Sequence, residues 1–206
     1  MKTKDKIINT AIDLFNERGT NLVSTNHIAL EMGISPGNLY YHFSSKNEII
    51  RAITNQLADE LLALFKIKLH NISDFSQILS VLFDSFFKIQ RSYQFLFLEG
   101  AHLVKQDKEL QDNYIELRGL IKAGYNELLS SMVKIKLLKK KSLEIVDELL
   151  EIQWIIMWNW ASHTTLDRKI FDDKQIKKGI RLSLSIIKPQ LTSIGKIAFD
   201  KTLQLI

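Results

Sequence analysis

Apolar positions over the first eighteen residues recur at the spacing of a helix. Ile7, Ile8, Ala11, Ile12, Leu14 and Phe15 fall at i, i+3, i+4 and i+7, which places them on one face of a helix over 4–18. Gly19 follows where a left-handed C-cap belongs. The next helix is short: Ser24 or Thr25 caps it, Ile28, Ala29 and Met32 face inward, and Gly33 stops it. A third begins at once, with Ser35 as N-cap and Pro36 at the first helical position, and turns Leu39 and Phe43 inward. A fourth starts at Ser45, where Ser45-Lys46-Asn47-Glu48 has the form of a capping box. Its stripe of Ile49, Ile50, Ile53, Leu57, Leu61 and Phe65 carries it over about 45–66. Beyond residue 70 the pattern predicts helices over 74–91, 94–105, 107–136, 142–163, 173–190 and 194–204. Asp74, Ser142 and Asp172/Asp173 are the start signals, and Pro189 with Gly195 marks the last break. The chain therefore reads as all-α, with about nine or ten helices. A three-helix head occupies 1–47 and a larger helical body 48–206.

Composition sharpens this in a few places. Only 8 Gly and 2 Pro serve 206 residues, too few for the many turns of a sandwich or barrel. The absence of Cys excludes disulfide scaffolds, thiolate metal sites and thiol catalysis. No apolar run reaches the roughly 18 residues of a membrane span. The N-terminus mixes charged and apolar residues where a signal peptide would have a continuous apolar stretch, and the expected setting is the cytoplasm, away from membranes. The net charge of +5 invites a nucleic-acid reading. Residues 1–66, however, hold seven Lys/Arg against seven Asp/Glu, so the whole excess lies in 67–206, concentrated at Lys134, Lys136, Lys139, Lys140 and Lys141. Charge does not locate a DNA surface; motif geometry must.

That geometry lies between Thr25 and Phe43. Two short helices joined by a turn of three or four residues containing Gly33 form the pattern of a helix-turn-helix. The steep crossing needs a residue able to take positive φ, which Gly33 supplies, and Ala29 is small enough for close approach. Pro36 and Gly37 leave the front of the second helix slim enough for a major groove about 12 Å wide. With Leu39 and Phe43 inward, its outer face carries Ser35, Gly37, Asn38, Tyr40, Tyr41 and His42, with Lys46 beyond. Asn can read an adenine edge, hydroxyls bond phosphates or bases, and Lys neutralises a phosphate. Tyr40, Tyr41 and His42 are equally suited to closing a small core. Adjacent tyrosines on one helix cannot both point inward, so at least one is exposed.

The stretch GISPGNLYYHFSSKNEII (33–50), preceded by STNHIALEM (24–32), resembles the DNA-binding head of TetR-family transcriptional regulators. The matching positions are Gly19, Thr25, Ile28-Ala29, Gly33-Ile34-Ser35, Leu39-Tyr40-Tyr41-His42-Phe43 and Lys46. The resemblance covers about 50 residues and implies a DNA-binding role for Thr25, Asn26, Ser35, Pro36, Gly37, Asn38, Tyr40, Tyr41, His42 and Lys46. Thr25 would touch a phosphate, Asn26 would sit where base-contacting residues occur, and Tyr41, His42 and Lys46 would hold the DNA backbone. Asn26-His27 departs from the apolar-then-charged pair common in the family, which leaves sequence preference open.

The body offers two further readings. LLEIQWIIMWNWA (149–161) is apolar nearly all round, so it must be covered on more than one side, by its own chain alone or with a second subunit. The family resemblance favours the second subunit. Leu149, Ile156 and Trp160 on that helix would meet a symmetry mate together with Ile176, Ile180, Leu184 and Ile187 on the next, Gly179 and Ser183 allowing close approach. Phe65, Phe97, Tyr125, Trp154 and Trp158, with His102 as a polar neighbour, read either as core or as the lining of a small-molecule pocket; the resemblance implies an effector there. Glu99-x-x-His102 is half of a di-metal pattern whose second copy the sequence lacks, so no metal and no other cofactor is expected. HExxH, GxSxG and phosphate-binding glycine loops are absent, which argues against an enzyme. The expectation is a homodimeric, sequence-specific DNA-binding regulator: a repressor released from a palindromic operator on double-stranded DNA by a small apolar or aromatic effector. The fourth helix would be the lever, with Leu57 and Leu61 as positions that tune induction.

Overall fold

The computed structural model describes residues 2–66, 72–167 and 170–203. Ten α-helices account for most of them, and no strand occurs among the described residues. They are α1 (Thr3–Arg18), α2 (Thr25–Glu31), α3 (Pro36–His42), α4 (Lys46–Leu64), α5 (Ile72–Ser92), α6 (Gln94–Gln106), α7 (Lys108–Lys134), α8 (Val146–Leu166), α9 (Asp173–Ser185) and α10 (Ser193–Leu203). Two expected spans are shortened. The helix expected from 142 begins at Val146, because Lys140–Ile145 forms 3-10 turns with Ser142 fully buried inside them. The helix expected to reach 190 ends at Ser185, and Pro189 sits in a separate 3-10 turn, Lys188–Gln190. Residue 204, the expected last helical position, lies outside the described residues.

The chain divides into two compact units, Met1–Asp59 with Ser92–Glu116 and Glu60–Arg91 with Leu117–Ile206. This is a different partition from a boundary at 47/48: the head takes in most of α4, all of α6 and the start of α7. The reason lies in contacts between residues far apart in sequence. Phe95 on α6 packs its ring 5.2 Å from that of Phe15 on α1, and both are buried. Asn16 accepts from the Phe95 backbone N–H at 3.0 Å and donates to the Ser92 carbonyl at 2.7 Å, so α1 caps the N-terminus of α6. The Glu99 carboxylate accepts from the Thr20 N–H at 3.2 Å and from its hydroxyl at 2.5 Å. Arg51 on α4 holds the buried Asp107 through two nitrogens, Nε at 3.0 Å and NH2 at 3.0 Å, and Asp107 in turn caps α7 through the Leu110 N–H at 3.1 Å.

In the other unit α8 lies against α9. Gly179 is required there, since a Cβ would stand 2.3 Å from the Trp160 ring, and the Trp160 indole N–H donates to the Gln175 carbonyl. Residues 137–139 run beside 190–192: Thr192 N–H donates to Leu137 and Lys139 N–H to Gln190, both at 3.0 Å. Gly195 sits so close to this strap that a Cβ would fall 2.1 Å from the Leu137 carbonyl oxygen. The glycine expected to mark a break is therefore a packing residue inside α10.

Candidate nucleic-acid interface

The turn between α2 and α3 is built locally. Ser24 caps α2, its hydroxyl accepting from His27 N–H at 3.2 Å, and Ser24 N–H returns a bond to His27 Nδ1 at 3.3 Å. His27 thus fills the place of the Glu or Gln of a capping box, which gives the departure at Asn26-His27 a structural cause. At the far end Gly33 takes φ +65°, with Ile34 N–H on the Ala29 carbonyl and Gly33 N–H on Leu30, both at 3.0 Å. These are the two bonds of a Schellman motif with glycine in the left-handed place. Nothing lies within 4 Å of where a Gly33 Cβ would be, so conformation rather than space demands the glycine. Ser35 then caps α3, accepting from Asn38 N–H at 3.2 Å, and Pro36 takes the first helical position.

Behind α3, Leu39 and Phe43 are fully buried, and the Lys4 ammonium stands 5.1 Å over the Phe43 ring. In front, Asn26, Ser35, Pro36, Gly37, Asn38, Tyr40 and Tyr41 are all exposed, Tyr41 to 85%. Both tyrosines point outward, so neither closes the core. The Tyr40 hydroxyl lies 3.0 Å from the Thr25 hydroxyl, tying the front of α2 to α3. His42 is half-buried with its ring edge-on to Tyr41 at 5.2 Å. The Lys46 ammonium donates to the Thr20 carbonyl at 2.8 Å, bracing the turn after α1. Glu48 N–H bonds Ser45 as a capping box requires, but the Glu48 carboxylate reaches back to Ser44, to its N–H at 2.6 Å and its hydroxyl at 2.8 Å. Those bonds, the backbone one first, hold the Glu48 carboxyl below the usual range.

Gly19 was expected to be left-handed. Its φ of 76° fits, but ψ is 157°, an extended region open essentially to glycine alone. A Cβ there would also meet Glu99 Oε1 at 2.9 Å. Glu99 and Asn16 are structural anchors of the head that periodicity does not reveal, because their partners lie 79 residues away.

The residues expected to line a pocket fall in both units. Phe97 is buried and His102 exposed in the unit that holds the head, and Glu99 is engaged with Thr20. Phe65, Tyr125, Trp154 and Trp158 belong to the body unit, where the two tryptophan rings lie 5.4 Å apart. An open groove of about 890 Å³ in that unit is lined by other residues, Asp84 and Phe87 with Lys174, Lys177, Lys178 and Arg181 prominent among them. Of the expected interface residues, Leu149, Ile176, Gly179, Ile180, Ser183 and Ile187 are buried within the chain itself, while Ile156, Trp160 and Leu184 are half-buried. Ile176 is only 1% exposed in the single chain. Apolar side chains on these helices that face outward are Ile152, Ile155 and Leu166 on α8 and Leu182 on α9. No helix among the described residues is long and apolar enough to cross a membrane.

A slim, capped helix presented on a Schellman turn with its polar face outward defines a helix-turn-helix DNA-binding protein. Comparison with known proteins places it within that class. Residues 7–53 match the family model described as bacterial regulatory proteins, tetR family, and residues 55–199 match the one described as bacterial transcriptional repressor. The HTH-type transcriptional regulator YvdT of Bacillus subtilis is 34% identical over 90 residues, which is 44% of this chain and 46% of that protein. The biofilm operon icaADBC negative transcriptional regulator IcaR of Staphylococcus aureus is 29% identical over 138 residues, 64% of this chain and 74% of IcaR. The crystal structure of a TetR-family transcriptional regulator from Marinobacter aquaeolei superposes with a TM-score of 0.84 at 26% identity, covering 100% of this chain and 97% of that one. The match to YvdT thus spans less than half of that relative's length. The chain belongs to the TetR family of bacterial regulatory proteins.

Proposed function

We propose that the chain acts as a homodimeric repressor that reads a palindromic operator and releases it on binding a small, apolar or aromatic effector. The observation that carries the DNA reading is the fully outward polar face of α3, backed by buried Leu39 and Phe43. In this reading Asn26, Ser35, Pro36, Gly37, Asn38 and Tyr40 line the major groove, with Thr25, Tyr41, His42 and Lys46 at the sugar–phosphate backbone. Residues 1–47 carry the DNA-reading helices, with Ser92–Glu116 completing their unit, and the rest of 48–206 serves effector binding and pairing. The outward Ile152, Ile155 and Leu182 support pairing through α8 and α9, because exposed apolar side chains on two adjoining helices gain by being covered. Two-fold symmetry then places two recognition helices in successive major grooves, about 34–36 Å apart.

The test is selection from a random duplex library with the full chain, alongside Asn38→Ala and Tyr41→Ala. A two-fold-symmetric site that is enriched by wild type, and bound more weakly by both variants and at higher salt, is the expected result. Absence of any enriched duplex overturns the reading.

A further inference from the structure

The open groove of about 890 Å³ in the body unit carries an unbalanced charge. Four cations from one helix line it: Lys174, Lys177, Lys178 and Arg181 of α9. They stand at i, i+3, i+4 and i+7, so they share one helical face, and all four are exposed. Two carboxylates line the groove as well. Asp173 is already engaged, by Arg91 at 2.6 Å. Asp84 on α5 forms no ion pair among the described residues, and neither does any of the four cations. Lys178 stands 5.6 Å over the Trp160 ring, a contact that leaves its charge in place. Four cations less one uncommitted carboxylate leave an excess of three positive charges.

A solvated helix face ordinarily mixes the signs, with opposite charges four residues apart. α9 does the reverse: Lys174 with Lys178 and Lys177 with Arg181 are like-charge pairs at i, i+4, which destabilise a helix. A bound anion relieves that repulsion. The lining is not purely ionic, since Phe87, half-buried on α5, and Leu182, 40% exposed on α9, belong to it. Water solvates the cations unaided, whereas apolar carbon beside them gains by being covered. The volume lies within the roughly 300–1,000 Å³ of small-molecule sites. A nucleic-acid duplex would offer phosphates but leave Phe87 and Leu182 uncovered. Of the lining residues only Leu182 is shared with the pairing surface proposed above.

We propose that this groove binds a small amphipathic organic anion, with an apolar body laid on Phe87 and Leu182 and a phosphate monoester held by the α9 cations. The threefold excess of positive charge matches a doubly negative head better than a single carboxylate. Arg181 supplies a planar fork that meets phosphate through two N–H bonds, and the lysines act as point charges. None of Phe65, Phe97, Tyr125, Trp154 and Trp158 lines the groove, so the site stands apart from the effector pocket expected from the sequence.

The experiment titrates the full chain by calorimetry with 1-naphthyl phosphate, 1-naphthoate, 1-naphthol and inorganic phosphate. Wild type is expected to bind naphthyl phosphate about tenfold or more tightly than any of the other three, with an affinity that falls as salt rises. The double variant Lys177→Ala, Arg181→Ala is expected to bind it about tenfold or more weakly. It should unfold at the same or a higher temperature, because both side chains are exposed and their mutual repulsion is removed. Equal affinity of wild type and double variant for naphthyl phosphate overturns the proposal, as does failure of wild type to bind it. Inorganic phosphate bound as tightly as naphthyl phosphate makes the groove a site for an adventitious ion only and overturns it too. Random-sequence duplex DNA is titrated in parallel; an equal loss of duplex affinity in the double variant marks the occupant as nucleic acid and overturns the choice of a small anion.

Discussion

Gly33 and Gly19 both sit at positive φ, yet replacing them has different consequences. At Gly33 a Cβ meets open space, so Gly33→Ala costs only the left-handed backbone, about 1–2 kcal/mol, and Gly33→Asn less. Urea unfolding of the two variants measures the difference. Gly19→Ala faces both a ψ of 157° and the Glu99 carboxylate at 2.9 Å, and is expected to lose more stability than Gly33→Ala. At this scale much was legible in the sequence where the bonding is local. Ser35, Pro36 and Gly33 act within a few residues of themselves, so their roles show in the string of letters. Asn16 and Glu99 act across 79 residues, and nothing near them in sequence announces a partner.

Helical periodicity tells which positions of an element are apolar, and it placed most of the helices within a few residues. It does not tell which apolar face its own chain will cover. Ile176 and Ile180 on α9, and Ile187 just beyond it, belong to the apolar stripe expected at an interface and are buried within the single chain, whereas Ile152 and Ile155, on the all-round apolar helix α8, face outward. The two roles separate cleanly by substitution. Ile176→Ala is expected to cost about 2–4 kcal/mol of folding stability through a cavity, seen as a lower urea midpoint. Ile155→Glu is expected to leave stability within about 0.5 kcal/mol and to shift the chain to monomer in sedimentation, with weaker operator binding. A dimeric Ile155→Glu would move the pairing surface elsewhere. Leu57 and Leu61, the expected tuning positions on α4, are buried, so changes there act on folding as well as on induction.

For the molecule as a whole, the Arg51–Asp107 pair makes the unit that holds the head depend on pH. Burial pushes the Asp107 carboxyl up, but the Arg51 guanidinium and the Leu110 N–H outweigh it and hold the carboxyl below the usual value of about 3.9. Its contribution is therefore complete above about pH 4 and is lost as pH falls through the lowered value. Asp107→Asn is expected to cost about 2 kcal/mol at neutral pH, reduced from the fully buried case because Arg51 remains about one-third exposed. The variant should also flatten the fall in stability on acidification below about pH 4, followed by urea midpoints across pH.

The unit that holds the recognition helix is discontinuous, with Ser92–Glu116 completing what Met1–Asp59 begins. On the ribosome, where chains emerge at about 5–20 residues per second, α1 to α3 are therefore made several seconds before the segment that caps and clasps them. The nascent chain carries an unfinished head until residue 116 is out. A transplant of the first 47 residues onto another body would leave that incompleteness in place, so an exchange of DNA specificity between relatives should carry the α6 segment along.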